Sequence, residues 1–301
     1  MICLIDSYNL VDYSDPPSYD TNAKLFSDTI FTNEGISLLN SEKVAINNFV
    51  KRAKGLDPGY ANFGSSAIWD AGILFCPNRG GSLATAKYNV FDPTILIQNY
   101  FGGITYDPGY GVKGNGVNGG INSQVAVRNY TTGLTQLNQE KGLVGIVYKD
   151  TVNASRRDFG NYGSNVGIDG NMWLTASRGG VVSPAMRYYT HDENITIVPA
   201  NTNGHWCLKG TLGSPNLGKV YYNKTLIHTS NGNNPRTAAQ ALSLPNAEIL
   251  FLCLNFNSRA VVNYANATDI CHYVLGDIGA NIGAWNDMIE DFCIETGTKT
   301  W

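Results

Sequence analysis

Charge is scarce in this sequence: Asp, Glu, Lys and Arg make up 15% of 301 residues, and the formal net charge is −3. A chain so sparsely charged lacks the clustered positive surface that grips a phosphate backbone, so nucleic acid is not an expected partner. Long apolar runs are missing too. No stretch of eighteen apolar residues occurs, so no membrane-spanning segment is expected. The opening segment, MICLIDSYNLVDYSD, has no basic stretch ahead of an apolar one, and no secretory leader is read there. The six cysteines (Cys3, Cys76, Cys207, Cys253, Cys271, Cys293) show no C-x-x-C pair and no zinc-ligand spacing. They are expected to be unpaired, mostly buried thiols, and neither a metal nor a cofactor is implied.

What the sequence does hold is apolar residues (43%), 33 glycines and asparagine in similar number. That is enough apolar material for a core, cut into short pieces by residues that tolerate turns. Strand-like runs fall at 67–75, 94–100, 123–127, 143–148, 172–176, 181–189, 195–198, 206–208, 219–222, 225–229, 248–255 and 270–275. They do not alternate with helices, which disfavours a parallel sheet and predicts an antiparallel sandwich. Two segments read as helices. Residues 40–54 carry Val44, Ile46, Phe49, Val50 and Ala53 at helical spacing, with Asn40 or Ser41 as the cap. Lys51, Arg52 and Lys54 fall in its last turn, where the helix dipole favours cations. Residues 282–295 set Trp285, Met288, Ile289 and Phe292 against a polar face holding Glu290, Asp291 and Glu295, read as solvated. Residues 1–32, broken by Pro16–Pro17 and without a period, are read as an extended arm that docks on a partner. Two D-P-G-Y segments, at 57–60 and 107–110, are read as type II turns. The stretch GKVYYNKTLIHTS (218–230) is read as a tight hairpin turning at Asn223–Lys224, with one of Tyr221 and Tyr222 inward and the other outward.

Catalytic chemistry finds little footing. Glycoside hydrolysis needs two carboxylates about 5–9.5 Å apart across the scissile bond. No strand-like run carries such a pair, and Asp192–Glu193 are adjacent, with His191 and Asn194 read as turn residues. The neighbours His205/Cys207 and Cys271/His272 lack the further ligands of a metal site, so they are read as core or rim residues. No catalytic residue is assigned. A sugar site needs an aromatic plate with polar partners, and composition offers Trp173 with Asn171 and Arg178, or Tyr188–Tyr189 with Arg187. A calcium-assisted site around Asp158, Asn161 and Asp169 matches no defined loop.

Several stretches carry a family likeness. They are SEKVAINNFVKRAKG before the strands, KYNVFDP (87–93), GVKGNGVNGGINS (111–123), DFGNYGS (158–164), the hairpin GKVYYNKTLI, and VNYANATDICHYVLGDIGANIGAWNDMIEDFCIETG (262–297). Their order resembles a family of bacteriophage virion proteins, often tail-associated, with a concanavalin A-like (laminin-G-like) jelly-roll module. Gly120 stands where that family has an aromatic residue, and Lys224 where it has glycine. The resemblance implies a jelly-roll domain over 33–301 that includes both helices. It also implies a virion component, assembled in the host cytoplasm, whose partners are other virion proteins and further copies of itself. Three readings follow: a non-enzymatic structural protein of tail, fibre or capsid surface; a receptor- or glycan-binding virion module facing a host surface glycan; and a glycan-processing enzyme.

Overall fold

The computed structural model describes residues 15–63, 67–126, 142–150, 159–162, 164–165, 168–169, 171–178, 181–189, 191–211, 217–230, 248–256, 260–262, 267–299 and 301. Two large sheets face each other. The eight-stranded sheet runs, in spatial order, Thr225–Thr229, Leu217–Tyr222, Gly204–Thr211, Leu143–Asp150, Ala267–Leu275, Gly111–Lys113 and Thr105–Asp107, with Gly72–Cys76 also paired to Ala267–Leu275. The nine-stranded sheet runs His191–Asn194, Val181–Tyr189, Asn171–Arg178, Phe159–Tyr162, Glu248–Phe251, Gly120–Ala126 and Asn99–Phe101, with Leu254–Phe256 and Ala260–Val262 branching from it. Among the described residues every pairing is antiparallel except that of Leu254–Phe256 with Phe159–Tyr162. This is a concanavalin A-like jelly-roll sandwich, mainly β, with helices at its N- and C-terminal ends.

Three long helices, α1 (Thr21–Glu34), α2 (Asn40–Ala53) and α3 (Ile282–Glu295), form a third layer. They pack on the outer face of the eight-stranded sheet, so that sheet is buried on both sides. Val144, Ile146, Trp206, Leu208 and Val274 point between the sheets. Leu143, Val147, Cys207, Tyr273 and Leu275, one step out of phase, meet the helices. Alternation along a strand makes this two-sided core possible, and it explains why 143–148 and 270–275 read as continuous apolar runs. Gly145 is required at the crossing: a Cβ there would sit 2.3 Å from the Tyr273 hydroxyl and 2.8 Å from Cys207 Cβ.

The structure corrects several expectations. Residues 1–14 lie outside the described residues, but 21–32 of the expected arm fall within the helix Thr21–Glu34, and Ala23, Phe26 and Ile30 are buried against α2. Asp20 caps α1 by accepting from Asn22 N, and Gly35 ends it at φ 68°. Phe26 and Ile30 thus serve the chain's own core, while their neighbours Leu25 and Phe31 stay exposed. α2 starts after Leu39, whose N–H donates to the Glu42 carboxylate, and neither Asn40 nor Ser41 is its cap. Run 67–75 divides into a helical turn at Ala67–Asp70 and the strand Gly72–Cys76. Run 94–100 keeps only Asn99–Phe101 as strand. The D-P-G-Y turns are held by Asp57 and Asp107, whose carboxylates accept from Gly59 N and Gly109 N. Neither glycine has positive φ, which a type II turn demands.

The hairpin forms as read. Asn223 and Lys224 both take positive φ (44° and 72°), the geometry of a type I′ link. Neither tyrosine points to open solvent, however. Tyr221 packs against the helix-side core and Tyr222 against the inter-sheet core, each half-buried. Both Tyr221→Ala and Tyr222→Ala are therefore expected to lower stability, by roughly 2 kcal/mol each, in urea unfolding. A loss at one position alone would contradict this two-sided burial. Lys224, at the position where glycine is usual, ties the turn to α3 through Asp287 at 2.6 Å and through Glu290.

Candidate functional site

With the helices on one sheet, the other sheet turns its outer face away from them. Pairing register identifies the positions on that face. Leu174, Phe159, Phe251 and Ile121 are buried between the sheets and stand in one row across four strands. The row one residue along belongs to the opposite face. It contains Asp192, Arg187, Trp173, Gly160, Leu250 and Asn122, each paired with the next. Leu250 is buried, and the Asn122 amide donates to Glu248 at 2.5 Å. The remaining stretch, Asp192–Arg187–Trp173–Gly160, sets an aromatic residue between an arginine and a glycine, which leaves its fourth strand without a side chain.

Two of the four sequence candidates are thus brought together. Trp173 stands directly opposite Arg187. Asn171, two residues along the same strand, is opposite Tyr189. Tyr188 pairs with Met172, one step off the Trp173–Arg187 row. Arg178 lies at the far end of the hairpin opposite Val181, beyond an irregularity between Thr175 and Ser177. His191–Asn194 is an edge strand rather than a turn, and this brings Asp192 onto the row. The sequence offered Asp192 only as the neighbour of Glu193 and did not single out Gly160, because the row they join is set by strand register alone. Of the calcium trio, Asp158 lies outside the described residues. Asn161 pairs with Met172 in the large sheet, while Asp169 pairs with Ser164 in a separate two-stranded ladder. Among the described residues no group of three His, Cys, Asp or Glu is placed to hold a metal ion.

The His–Cys neighbours are core groups. His205 Nε2 lies 2.5 Å from the Tyr273 hydroxyl, and burial pulls the imidazole down to about 3. Burial likewise pushes the Cys207 thiol up to about 12, far from the thiolate that a nucleophile requires. Cys271 and His272 face opposite ways: Cys271 lies in the helix-side core, while the His272 ring sits 4.2 Å from that of Phe251 on the facing sheet. The five cysteines among the described residues are free and buried; Cys3 lies outside them.

No family model and no curated protein matches the chain. Solved structures do. The chain is similar to Trypanosoma rangeli sialidase in complex with sialic acid, at 12% identity and a TM-score of 0.52, over 83% of this chain and 38% of that one. It overlaps the CBM40 of Ruminococcus gnavus IT-sialidase at 13% identity and a TM-score of 0.35, over 46% of this chain and 77% of that one. It overlaps the receptor binding domain of botulinum neurotoxin C/D mosaic serotype at 12% identity and a TM-score of 0.43, over 73% and 51%. At such identities the likeness is one of fold, and against the sialidase it spans well under half of that protein's length.

Proposed function

We propose that this chain is a non-enzymatic carbohydrate-binding module that takes a glycan on the outer face of its nine-stranded sheet. The observation that carries the reading is the strand register that sets Asp192, Arg187, Trp173 and Gly160 in one row, a row that alternation assigns to the face opposite the core. Trp173 supplies the aromatic surface on which a sugar ring packs, Arg187 and Asp192 the polar groups that orient its hydroxyls, and Gly160 the room for it. The fold supports the reading only as a scaffold, since the same fold hosts unrelated functions. Binding is favoured over hydrolysis by the spacing of the two carboxylates that register sets on this face among the described residues. Asp192 and Glu248 are separated by four inter-strand steps, roughly 19 Å at about 4.8 Å per step, twice the span a glycosidase pair uses.

The sequence motifs favour a setting for this activity: a phage particle, where the module meets a host surface glycan. They also favour a second reading, in which the chain is a structural virion component and binds only other virion proteins and its own copies. A glycan array probed with the purified protein separates the two, because a purely structural component gives no reproducible hit. On a hit, Trp173→Ala is expected to weaken binding at least tenfold by calorimetry, about 1.4 kcal/mol or more, with the melting temperature unchanged. Undiminished binding by that variant would remove the row from the reading.

A further inference from the structure

Leu25, exposed on α1, borders a cleft that the proposed binding face does not use. The cleft lies between α1 and the connecting segment 92–98 and has a volume of about 400 Å³, within the range of small-molecule sites. Leu25, Asp28, Thr29 and Thr32 line one side of it. They recur at three- and four-residue intervals, so they form one stripe of α1, on the side turned away from the buried Ala23, Phe26 and Ile30. Pro93, Thr94 and Ile97 face them from the connecting segment.

Both walls are fixed. α1 is anchored in the core by Phe26 and Ile30 and capped at its two ends by Asp20 and Gly35. In the other wall the Asp92 carboxylate accepts from the Thr94 N–H at 2.9 Å and from its hydroxyl at 2.6 Å. Leu96 takes φ 52°, a conformation that leucine rarely adopts. Its carbonyl accepts from the Gln98 amide at 3.2 Å, and that of Ile97 from the Gln124 amide at 2.5 Å. The strained turn sends Leu96 onto the inter-sheet core and Ile97 to the helix side, where it lines the cleft. Walls pinned in this way lose little further freedom when a ligand enters.

The lining decides which ligand fits. Among the described residues that form it, none is cationic or aromatic, and Asp28 carries the single charge. Asp28 Oδ1 is 3.2 Å from Lys24 Nζ, which also lies 3.4 Å from Asp15, and Asp15 pairs with Lys43 at 2.9 Å. Two lysines and two aspartates thus balance, and Asp92 behind Thr94 adds only negative charge. An anion finds no counter-charge here, and a cation finds Asp28 already paired. A wholly apolar ligand would cover the hydroxyls of Thr29 and Thr32 without bonding them. What remains is a neutral ligand that bears several hydroxyls on a carbon ring. Threonine hydroxyls both donate to such groups and accept from them, and Asp28 Oδ2 accepts. Leu25, Pro93 and Ile97 supply apolar surface for the ring. We infer that the cleft is a second carbohydrate site, for a neutral mono- or disaccharide. It does not rest on the Trp173 row, which belongs to the sheet turned away from the helices. A chain with both sites bridges two glycans.

Backbone amide NMR on the full chain tests this. Glucose, galactose, N-acetylglucosamine and lactose are each titrated to about 20 mM, sufficient for the millimolar affinity of a small ligand. At least one is expected to shift the amides of 25–33 and 93–97 saturably. N-acetylneuraminic acid, an anionic sugar, is expected to bind there about tenfold more weakly or worse. Asp28→Ala and Thr32→Val alter only the exposed side of α1 and should each weaken the cleft's binding about fivefold, as the loss of one hydrogen bond does. The inference is overturned if none of the neutral sugars shifts these amides, if the anionic sugar binds there best, or if both variants bind as the native chain does. Shifts confined to strands Asn171–Arg178 and Val181–Tyr189 would also overturn it, while leaving the reading of the Trp173 row intact.

Discussion

Phe49→Ala is expected to lower the stability of the protein by about 3–5 kcal/mol, the largest single effect in the helix layer. Phe49 is fully buried, on the face of α2 that meets the eight-stranded sheet. Its ring stacks on Phe75 at 4.1 Å and takes edge contacts from Trp285 at 5.7 Å, Phe292 at 6.2 Å and Phe91 at 6.4 Å. Those neighbours come from a strand, from α3 and from a connecting segment. No one of them can move into the space without breaking its own packing, so alanine leaves a cavity. Phe49→Leu keeps most of the volume and should cost roughly 1–2 kcal/mol. Urea unfolding followed by near-ultraviolet circular dichroism checks both. A loss below about 1 kcal/mol for the alanine variant would mean that the helices are an appendage and not part of the core.

How far the sequence disclosed this arrangement depended on whether the signal was local. α3 was readable because Trp285, Met288, Ile289 and Phe292 repeat at helical spacing, and its ends agree with those seen. The hairpin was readable because asparagine at the first position of a two-residue link tolerates positive φ. α1 was not. Its buried residues, Ala23, Phe26 and Ile30, are spaced for a helix, but Leu25 and Phe31 are exposed and blur the period. Strands of three residues, such as Thr105–Asp107 and Gly111–Lys113, are too short to show alternation and exist only because longer strands hold them. The candidate site was half legible. Trp173 and Arg187 could be named from residue type, but their opposition depends on register, as does the exclusion of Tyr188 from their row. The contact of His272 with Asp269, 2.5 Å apart across an irregularity in strand Ala267–Leu275, was hidden for the same reason, since a regular strand would send residues three apart to opposite faces.

Arg52 marks the limit of the local reading. The dipole of its own helix was sufficient to account for it in the sequence, yet in the structure two of its partners, Asp291 and Glu295, come from the far end of the chain. Its guanidinium donates to Glu295 at 2.7 Å and to Asp57 at 3.3 Å, and lies 3.8 Å from Asp291. It also sits 5.3 Å from the ring centre of Tyr60, whose hydroxyl donates to Asp291 at 2.5 Å. Asp291 and Glu295, read as part of a solvated face of α3, are therefore the clamp that joins α3 to α2. Arg52→Ala should cost about 2–4 kcal/mol, below the full value for a wholly buried pair because Glu295 keeps some exposure. Arg52→Lys should recover less than half of that, since an ammonium cannot fork between three carboxylates. The dependence on pH gives the sign that isolates the electrostatic part. Burial, working against Arg52, holds the Glu295 carboxyl above its usual range. A raised carboxyl takes up its proton early as pH falls, and the attraction to Arg52 then vanishes in the native protein as well. The deficit of Arg52→Ala should accordingly shrink between pH 7 and pH 4 in parallel urea unfolding series. A deficit that stays constant would assign the loss to the packing of Arg52 on Tyr60 alone.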